Sequence, residues 1–404
     1  MRHGGASRDR RRAPGREESL NPFVFNTSRS IEFGAGTLNR LGTLVRERIG
    51  ERVMLVTDPG MVATGMVERA LSILGNAGVE VSLFKDVMAD PPESVVLAAT
   101  QAARDAGAQG VVGLGGGSSL DVAKLVALLA QGAEQLKDVY GVGKAKGPRL
   151  PLILIPTTSG TGSEVTPISI VTTGTNEKMG VVSPVLLPDI ALLDPELTYG
   201  LPPHITAATG IDAMVHAIEA YASASPNNNP VSRILATQAL TLMGRSLLTA
   251  VKDGRNAEAR ADMLIGSMLA GQAFANSPVA AVHALAYPLG GHFHIPHGLS
   301  NALVLPHVLR FNMVTAHQPY AEIAPYVFPD LAALEGQARA SAFCDRLAEL
   351  SLACGLQPNL RAMNIPEDIL PKLASDAMNQ TRLLVNNPRP VTEADALAIY
   401  RAAW

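Results

Sequence analysis

The chain has 404 residues, 47% of them hydrophobic, which is enough for two or three domains with a large core. Its 33 basic and 36 acidic residues leave a net charge of −3, which argues against a surface that binds nucleic acid. Only 2 cysteines are present, so a disulfide framework is not expected and a cytoplasmic location is favoured.

The first 20 residues differ in composition from the rest of the chain. They are rich in arginine, glycine and proline and show no apolar periodicity, which predicts a disordered tail over residues 1–20. The segment lacks the apolar core of a secretory signal. An arginine-rich transit peptide is the alternative, but Asp9, Glu17 and Glu18 count against it because such peptides are poor in acids.

Residues 21–200 alternate between short β-branched runs and alanine- or leucine-rich stretches. The predicted strands are RVMLVTD (52–58), VEVSLFKDV (79–87), GVVGLG (110–115) and LPLILIP (150–156). The predicted helices between them cover residues 61–78, 93–107 and 118–132. This alternation is typical of a parallel sheet flanked by helices, so we predict an α/β domain here.

Residues 201–404 show helical spacing without further strand signals. Three long helical segments cover residues 229–254, 258–277 and 336–355, and Asn-Pro, Asp-Gly and Ser-Pro pairs separate the helical stretches. We therefore predict an all-helical second domain, with the ligand bound in the cleft between the two domains.

Two loops in the first domain have the composition of phosphate-binding or ribose-binding loops. GLGGGSSLDVAK (113–124) follows a predicted strand and opens a helix, whose N-terminus favours a pyrophosphate. The pattern departs from G-x-G-x-x-G because Ser118 takes the last position, and a tight strand-to-helix turn is the alternative. PTTSGTGSEVT (156–166) also follows a strand, and its many hydroxyls suit phosphate, ribose or a carboxamide better than an ordinary surface loop requires.

Asp58 ends the first predicted strand of this alternation. A carboxylate at that place can accept hydrogen bonds from an adenosine ribose and repel a 2′-phosphate. The alternative is a helix N-cap, which is the commoner use of aspartate in such a position.

An uncharged, histidine-rich segment marks the second domain. Residues 263–309 contain no Asp, Glu, Lys or Arg but hold five of the 9 histidines. A membrane span is excluded because prolines, glycines and histidines interrupt every apolar run of the necessary length. The segment therefore indicates a buried site with neutral imidazoles.

Four residues form a candidate metal site. Asp212 and His216 lie four residues apart and share a helical face, while PLGG between His283 and His297 is expected to break the helix and bring both imidazoles to one point. One carboxylate and three imidazoles would accept Fe²⁺, Zn²⁺, Co²⁺ or Ni²⁺. The alternative for each is structural: a helix-surface pair for Asp212 and His216, and a core residue for His283.

The motifs GGGSSLDVAK, PTTSGTGSEVT, GIDAMVHAIEAY and VHALAYPLGGHFHIPHGLSNAL, in this order, resemble those of the iron-containing (group III) alcohol dehydrogenase family. The resemblance extends from about residue 21 to the C-terminus. It implies a dehydroquinate-synthase-like fold, with an α/β dinucleotide-binding domain over residues 21–200 and a helical metal-binding catalytic domain over residues 201–404.

The resemblance also implies roles for individual residues. Asp212, His216, His283 and His297 match the family's metal ligands, with Fe²⁺ as the expected metal and Zn²⁺ as its rival. The pyrophosphate-binding loop matches Gly115, Gly116, Gly117, Ser118 and Asp121. The second cofactor loop matches Thr157, Thr158 and Thr161. Lys178 lies near a cofactor-contacting lysine, and Asp58 occupies the position associated with a preference for NAD over NADP.

One position departs from the family pattern. Many members have a second histidine four residues after the third metal ligand, thought to relay the alcohol proton, and this chain has Tyr287 there. The Tyr287 hydroxyl, His292, His294 or water remain alternatives for the relay.

The expected function is reversible hydride transfer between NAD(H) and a small alcohol or aldehyde held at a divalent metal. A maleylacetate-reductase-like or hydroxyacid oxidoreductase is a related alternative, and a metal-dependent lyase or hydrolase is a distant one. Anionic substrates would require a cation in the cleft, which residues 263–309 do not supply, so neutral alcohols are favoured. The family leads us to expect a homodimer or higher homo-oligomer. The charge balance and the interrupted apolar runs predict no nucleic acid or membrane partner.

Overall fold

The computed structural model describes residues 21–174 and 177–404, so the predicted disordered tail lies outside the described residues. Its strands are β1 (Ser30–Phe33), β2 (Arg52–Val56), β3 (Glu80–Phe84), β4 (Gly110–Gly115), β5 (Gly141–Val142), β6 (Leu152–Pro156), β7 (Ile168–Thr173), β8 (Glu177–Val182) and β9 (Ile190–Leu193).

Its α-helices in the first half are α1 (Leu41–Arg48), α2 (Pro59–Ala63), α3 (Met66–Asn76), α4 (Glu93–Asp105), α5 (Gly117–Gln131) and α6 (Leu136–Val139). In the second half they are α7 (Pro203–Ala222), α8 (Pro230–Lys252), α9 (Ala257–Asn276), α10 (Ala281–Phe293), α11 (His297–Val327), α12 (Gly336–Ala353), α13 (Leu370–Ala377), α14 (Thr381–Leu384) and α15 (Glu393–Ala403).

The predicted parallel sheet is confirmed. Six strands pair in the order β1-β9-β6-β4-β2-β3, and every pair is parallel. The central strands are apolar along their whole length because helices cover both faces of the sheet; all residues of β4, β6 and β9 are buried.

This sheet determines where a ligand can bind. Strand β2 pairs with β3 on one side and with β4 on the other, and β6 and β9 follow beyond β4. Ligands of such sheets bind beyond the carboxyl ends of the strands, near the point where the order reverses. Asp58, the glycine loop and the threonine loop follow β2, β4 and β6 respectively, so these three neighbouring strands bring them to one edge.

A second, smaller sheet was not predicted from the sequence. It has the order β5-β8-β7, with β7 antiparallel to β8. Strand β8 of this sheet carries Lys178, which lines a cavity described below. A further difference is that the helix predicted over residues 61–78 is two helices, α2 and α3, because Gly65 between them adopts a left-handed conformation with φ 79°.

The second half of the chain is helical, as predicted. Its core contains α7, which is buried along most of its length and packs against α8, α9 and α11. The change from sheet to helix falls between Leu193 and Pro203. The division into two domains at residue 200 stays a prediction.

The prediction that PLGG breaks the helix between the two histidines is wrong. Helix α10 continues through Pro288 to Phe293, and the turn lies at residues 294–296. A proline removes only one helical hydrogen bond, whereas His294 adopts a left-handed conformation with φ 54° that a helix cannot continue. The turn still carries the chain back, so that α11 begins at His297.

By length and composition, one helix within residues 21–174 and 177–404 could cross a membrane, namely Pro230–Lys252. Its inner side packs against α7, α9 and α11 in the helical core.

Candidate metal centre and cofactor cleft

The four predicted metal ligands come together. One ligand atom from each of Asp212, His216, His283 and His297 lies within 4.8 Å of the others. Helix α7 supplies the first two because residues four apart share a helical face, α10 supplies His283, and α11 supplies His297 at its first residue. Three helices therefore converge on one point.

Hydrogen bonds outside the group fix how two of the imidazoles are oriented. His283 Nδ1 lies 2.7 Å from Glu219 Oε2, and His216 Nδ1 lies 3.2 Å from the carbonyl oxygen of Gly160. Each acceptor holds a proton on Nδ1, which leaves the Nε2 lone pair free to bind a metal.

Asn301 shows that three of the four groups, Asp212, His283 and His297, direct their lone pairs to a common point. Its Nδ2 lies 2.5 Å from Asp212 Oδ1, 3.3 Å from His283 Nε2 and 3.2 Å from His297 Nε2. An amide NH₂ has two hydrogens and cannot satisfy three acceptors at once. A place where acceptors outnumber donors is suited to a cation, so the residues present fit a divalent metal.

Burial keeps the centre in the protonation state that metal binding requires. Removal from water lowers the pKa of His216 to about 3, against the opposing effect of Asp212. Burial alone would raise the pKa of Asp212, but the neighbouring histidines and the bond from Asn301 outweigh burial and lower it. A neutral imidazole and an ionised carboxylate are the forms that bind metals.

A cavity of about 200 Å³ opens in front of these ligands. Residues from both halves of the chain line it, including Asp90, Ser118 and Lys178 from the first half and Tyr287 and Arg382 from the second. His297 faces this space, with 41% of its side chain exposed. Phe274 stacks on the His216 ring at 4.3 Å between centroids and makes one wall apolar.

A second cavity, of about 720 Å³, lies along the ends of the strands. Asp58, Gly116, Thr157 and Thr158 line it, and it shares Gly117 and Ser118 with the first cavity. The two spaces therefore meet at the N-terminus of α5. A molecule that extends through both would place one end at the metal ligands and the other beside Asp58.

The two predicted cofactor loops touch each other. A Cβ atom at Gly117 would lie 2.7 Å from Thr161 Cγ2, so only glycine allows this approach. The backbone N–H of Thr157 donates to the carbonyl oxygen of Gly115 at 3.0 Å. Gly115 itself has φ 150°, which favours glycine.

Two predicted cofactor residues have partners within the protein. Asp58 accepts from the backbone N–H of Met61 at 3.0 Å, as an N-cap of α2, and from Ser119 Oγ at 2.9 Å. Asp121 accepts from Ser163 Oγ, from buried Lys124 and from the backbone N–H of Ile170. Asp58 also lines the larger cavity, whereas Asp121 joins the glycine loop to the threonine loop and β7.

The remaining predicted residues lie around the smaller cavity or away from it. Lys178 pairs with Asp90 at 2.6 Å and donates to Thr172 Oγ1 at 2.9 Å. The Tyr287 ring lies 5.7 Å from the His297 ring, between centroids. The two histidines considered for the proton relay do not line the cavity: His292 bonds Asp376, and His294 ends α10.

Models of one family match both halves of the chain. "Iron-containing alcohol dehydrogenase" matches residues 28–195, and "Fe-containing alcohol dehydrogenase family, C-terminal" matches residues 206–404. The chain belongs to the iron-containing alcohol dehydrogenase family.

Individual members of this family are similar over almost their whole length. Long-chain-alcohol dehydrogenase 1 of Geobacillus thermodenitrificans is 43% identical over 375 residues, which cover 92% of this chain and 94% of the relative. The crystal structure of a 1,3-propanediol oxidoreductase has a TM-score of 0.91 and 34% identity, covering 95% of this chain and 100% of that one. A sulfoacetaldehyde reductase from Bifidobacterium kashiwanohense, solved in complex with NAD⁺, has a TM-score of 0.84 and 30% identity, covering 95% and 98%.

Three polar residues of this iron-containing alcohol dehydrogenase site, Glu219, Asn301 and Arg382, are not predicted from the sequence. Glu219 lies seven residues after Asp212, and Asn301 lies four residues after His297, so helical spacing alone could have assigned both to the ligand faces. Arg382 had no such signal, because it lies on α14, far along the chain from every motif.

Proposed function

We propose that this chain is an NAD-linked, metal-dependent alcohol dehydrogenase that interconverts small alcohols and aldehydes. The observation that carries the proposal is the meeting of two features at one cleft. Four convergent metal ligands lie at one end, and the glycine and threonine loops lie along the other. The NAD⁺ complex of the related sulfoacetaldehyde reductase supports the choice of cofactor.

Asp212, His216, His283 and His297 would hold the metal. A divalent metal supplies a Lewis acid that lowers the pKa of a substrate hydroxyl, and NAD supplies the hydride acceptor. The protein orients both groups: Glu219 and the Gly160 carbonyl hold two imidazoles in the required tautomer. Phe274, Val279 and Ile295 give the cavity apolar walls that limit the access of water to the reacting atoms.

The cofactor would lie along the strand ends. Backbone N–H groups at the start of α5 face the region shared by both cavities, where the helix N-terminus favours a pyrophosphate. Asp58, which lines the larger cavity beside the start of α5, would accept hydrogen bonds from the adenosine ribose. The nicotinamide end would then face the metal ligands.

Iron is the metal we propose, with Zn²⁺ as the alternative, because the donor set accepts both ions. We also propose a homodimer in the cytoplasm. Within the described chain the edge strand β1 pairs only with β9. The backbone N–H and C=O groups along its other side could therefore pair with a strand of a second subunit. Both cysteines, Cys344 and Cys354, are free and buried, as in a protein without structural disulfides.

The test is an assay of anaerobically purified, metal-analysed protein with NAD and a panel of primary alcohols, followed by NADH absorbance. The proposal expects NADH formation with alcohols and NADH consumption with the matching aldehydes. A metal-dependent lyase or hydrolase would give neither signal, so the absence of any change in both directions would reject the dehydrogenase.

A further inference from the structure

Arg382 lines the smaller cavity without a carboxylate partner. It lies on α14, and its side chain reaches the space that holds the four metal ligands. Across residues 21–174 and 177–404 its guanidinium forms no ion pair within 4.0 Å. Its one side-chain hydrogen bond there is a long one, 3.5 Å from Nη2 to the Tyr287 hydroxyl. A guanidinium has five N–H donors, so most of its donors are available to a ligand.

The other two lysine or arginine side chains near this cavity are already engaged. Lys178 pairs with Asp90 at 2.6 Å. Lys124 is fully buried and bonds Asp121, Ser163 Oγ and the carbonyl oxygen of Ile168. Arg382 therefore adds a positive charge to the cavity that no carboxylate of the described chain cancels.

Arg382 lies in the same cavity as the proposed metal ligands, but within the described chain its guanidinium forms no hydrogen bond or ion pair with them. Tyr287 stands between them: its ring packs near the His297 ring, and its hydroxyl points to Arg382. The other side of the guanidinium lies against β8, because a Cβ atom at Gly180 would be 3.6 Å from Nη2. A substrate of a few carbon atoms could thus have one end at the metal ligands and the other at Arg382.

The surroundings favour an anion at that far end. The cavity walls include Val279, Ala286 and Ile295, whose side chains cannot accept hydrogen bonds from a guanidinium. The carboxylates of Asp90 and Asp121 in the same lining are each paired with a lysine. Planar arginine pairs with carboxylates and similar oxyanions through two parallel hydrogen bonds, and an apolar environment strengthens such pairs.

We propose that Arg382, with the Tyr287 hydroxyl, anchors an oxyanion at the far end of the substrate, so that the enzyme acts on short aldehydes and alcohols carrying a carboxylate or sulfonate. The inference rests on the proposed function. In the reducing direction, a hydride passes from NADH to the carbonyl carbon and a proton adds to the carbonyl oxygen, while the anchored anion is unchanged. The absence of Lys and Arg from residues 263–309 favours neutral alcohols, but Arg382 lies outside that segment and supplies the missing cation.

The experiment compares three aldehydes with NADH and the metal-loaded enzyme. 4-Oxobutanoate carries a carboxylate, 2-oxoethanesulfonate carries a sulfonate, and pentanal is neutral. We expect wild-type kcat/KM to be higher for at least one of the anionic aldehydes than for pentanal, and the two anions distinguish the carboxylate from the sulfonate. In Arg382→Met, the ratio of kcat/KM for that anion to kcat/KM for pentanal should fall about 10- to 100-fold, mainly through KM.

Two further variants show whether the preference for anionic aldehydes depends on the charge of Arg382 itself or on positive charge anywhere on the protein. Arg382→Lys keeps the charge but loses the two parallel donors, so it should recover part of the ratio. Arg401→Met removes an exposed arginine on α15, away from the cavity, and should keep the wild-type ratio. Metal content and circular dichroism of each variant show whether it has folded.

The outcomes separate this inference from the proposed function. Turnover of pentanal without a preference for either anion overturns the inference and leaves the dehydrogenase intact. A ratio that Arg382→Met leaves unchanged, or a change confined to the KM for NADH, also overturns it. If no aldehyde is reduced, the proposed function itself fails. Should Arg382→Met not fold, the wild-type comparison of the three aldehydes still decides the question.

Discussion

Glu219 is a buried carboxylate whose side-chain bonds, within the described chain, lead to the proposed metal ligand His283 or to the start of its helix. Oε2 contacts His283 Nδ1 at 2.7 Å and accepts from the backbone N–H of Ala280 at 3.0 Å, while Oε1 accepts from the backbone N–H of Val282 at 2.7 Å. These bonds hold the first turn of α10, where no residue offers a side-chain cap. One carboxylate therefore orients the imidazole and caps the helix that carries it.

Replacing Glu219 with glutamine should weaken metal binding. An amide has one oxygen, so Glu219→Gln cannot accept all three hydrogen bonds, and the orientation of His283 becomes less fixed. We expect the dissociation constant of the metal to rise about 10- to 100-fold. Competition against a chromophoric chelator measures this constant directly.

Glu322→Gln is the matched control, because Glu322 is exposed and, among the described residues, its side chain bonds only Tyr221 and Gln318. Its metal affinity should equal that of the wild type. An unchanged affinity in Glu219→Gln as well would show that Glu219 does not position His283.

Asp58 combines two functions that different substitutions can separate. As an N-cap it needs one oxygen acceptor for the Met61 N–H, whereas repulsion of a 2′-phosphate needs the negative charge. Asp58→Asn keeps the acceptor and removes the charge. We expect it to reduce the preference for NAD over NADP, measured as the ratio of kcat/KM values, with little change in thermal stability.

Asp58→Gly removes the acceptor together with the charge, so it should lower the preference and also destabilise α2 by a few tenths of a kcal/mol. Asp86→Asn removes an exposed carboxylate outside both cavities and should leave the coenzyme ratio at its wild-type value. A wild-type ratio in Asp58→Asn would reject a role for this charge in coenzyme choice.

At the scale of elements, three of the four strands that the sequence predicts are the apolar strands β2, β4 and β6, and the fourth, β3, is a partly exposed strand at the edge of the sheet. β2, β4 and β6 lie inside the sheet, and their valine, leucine and isoleucine runs indicate burial on both faces. β1 and β9 have four residues each, and β7 and β8 contain polar residues at the cleft surface. Their pairing depends on partners distant in the sequence, which local periodicity does not reveal.

The contact between α7 and α11 requires a glycine. A Cβ atom at Gly298 would lie 2.3 Å from the carbonyl oxygen of Ala208 and 3.2 Å from Asp212 Cβ. Gly298 directly follows His297, so the close approach of the two helices also sets the distance between two metal ligands. Neither motif spacing nor helix prediction indicates this constraint.

Gly298→Ala should push the start of α11 away from α7. We expect a loss of about 1–3 kcal/mol in the free energy of unfolding, typical of overpacking, together with weaker metal binding. Chemical denaturation and the chelator competition measure the two effects.

Gly75→Ala provides the control for this substitution. Gly75 lies within α3, and beyond its own helix backbone no atom of the described chain lies within 4 Å of an added Cβ. Alanine should therefore stabilise the protein slightly and leave metal affinity unchanged. Full stability and full affinity in Gly298→Ala would show that the two helices can move apart without cost.

At the scale of the whole molecule, the sequence predicts the parts of the site better than their arrangement. Asp212, His216, His283 and His297 follow from helical spacing and family motifs, and the structure brings them together. Arg382 reaches the same cavity from α14 through tertiary packing alone. The contact between Gly117 and Thr161 also arises from tertiary packing, because the sequence of neither loop indicates that the two loops touch.

The proposed metal site would also join α7 to the pair α10 and α11, which lie far from it in the chain, so metal binding should stabilise the whole helical half. The ligands come from α7, α10 and α11, and a metal bound only by the folded state adds RT ln(1 + [metal]/Kd) to the free energy of unfolding. At a free metal concentration of 100 times Kd this amounts to about 2.7 kcal/mol. Wild-type protein should therefore melt a few degrees higher with metal than after chelation, by calorimetry.

Two variants test whether this stabilisation comes from the four ligands. His283→Ala removes one of them, so its melting temperature should not depend on added metal. His317→Ala removes an exposed histidine that lies on α11, 20 residues after His297, and is not one of the four proposed ligands. This variant should keep the full metal-dependent shift in melting temperature. A metal-dependent shift in His283→Ala equal to that of the wild type would place the stabilising ion elsewhere, since three remaining ligands at a buried centre cannot retain the same affinity.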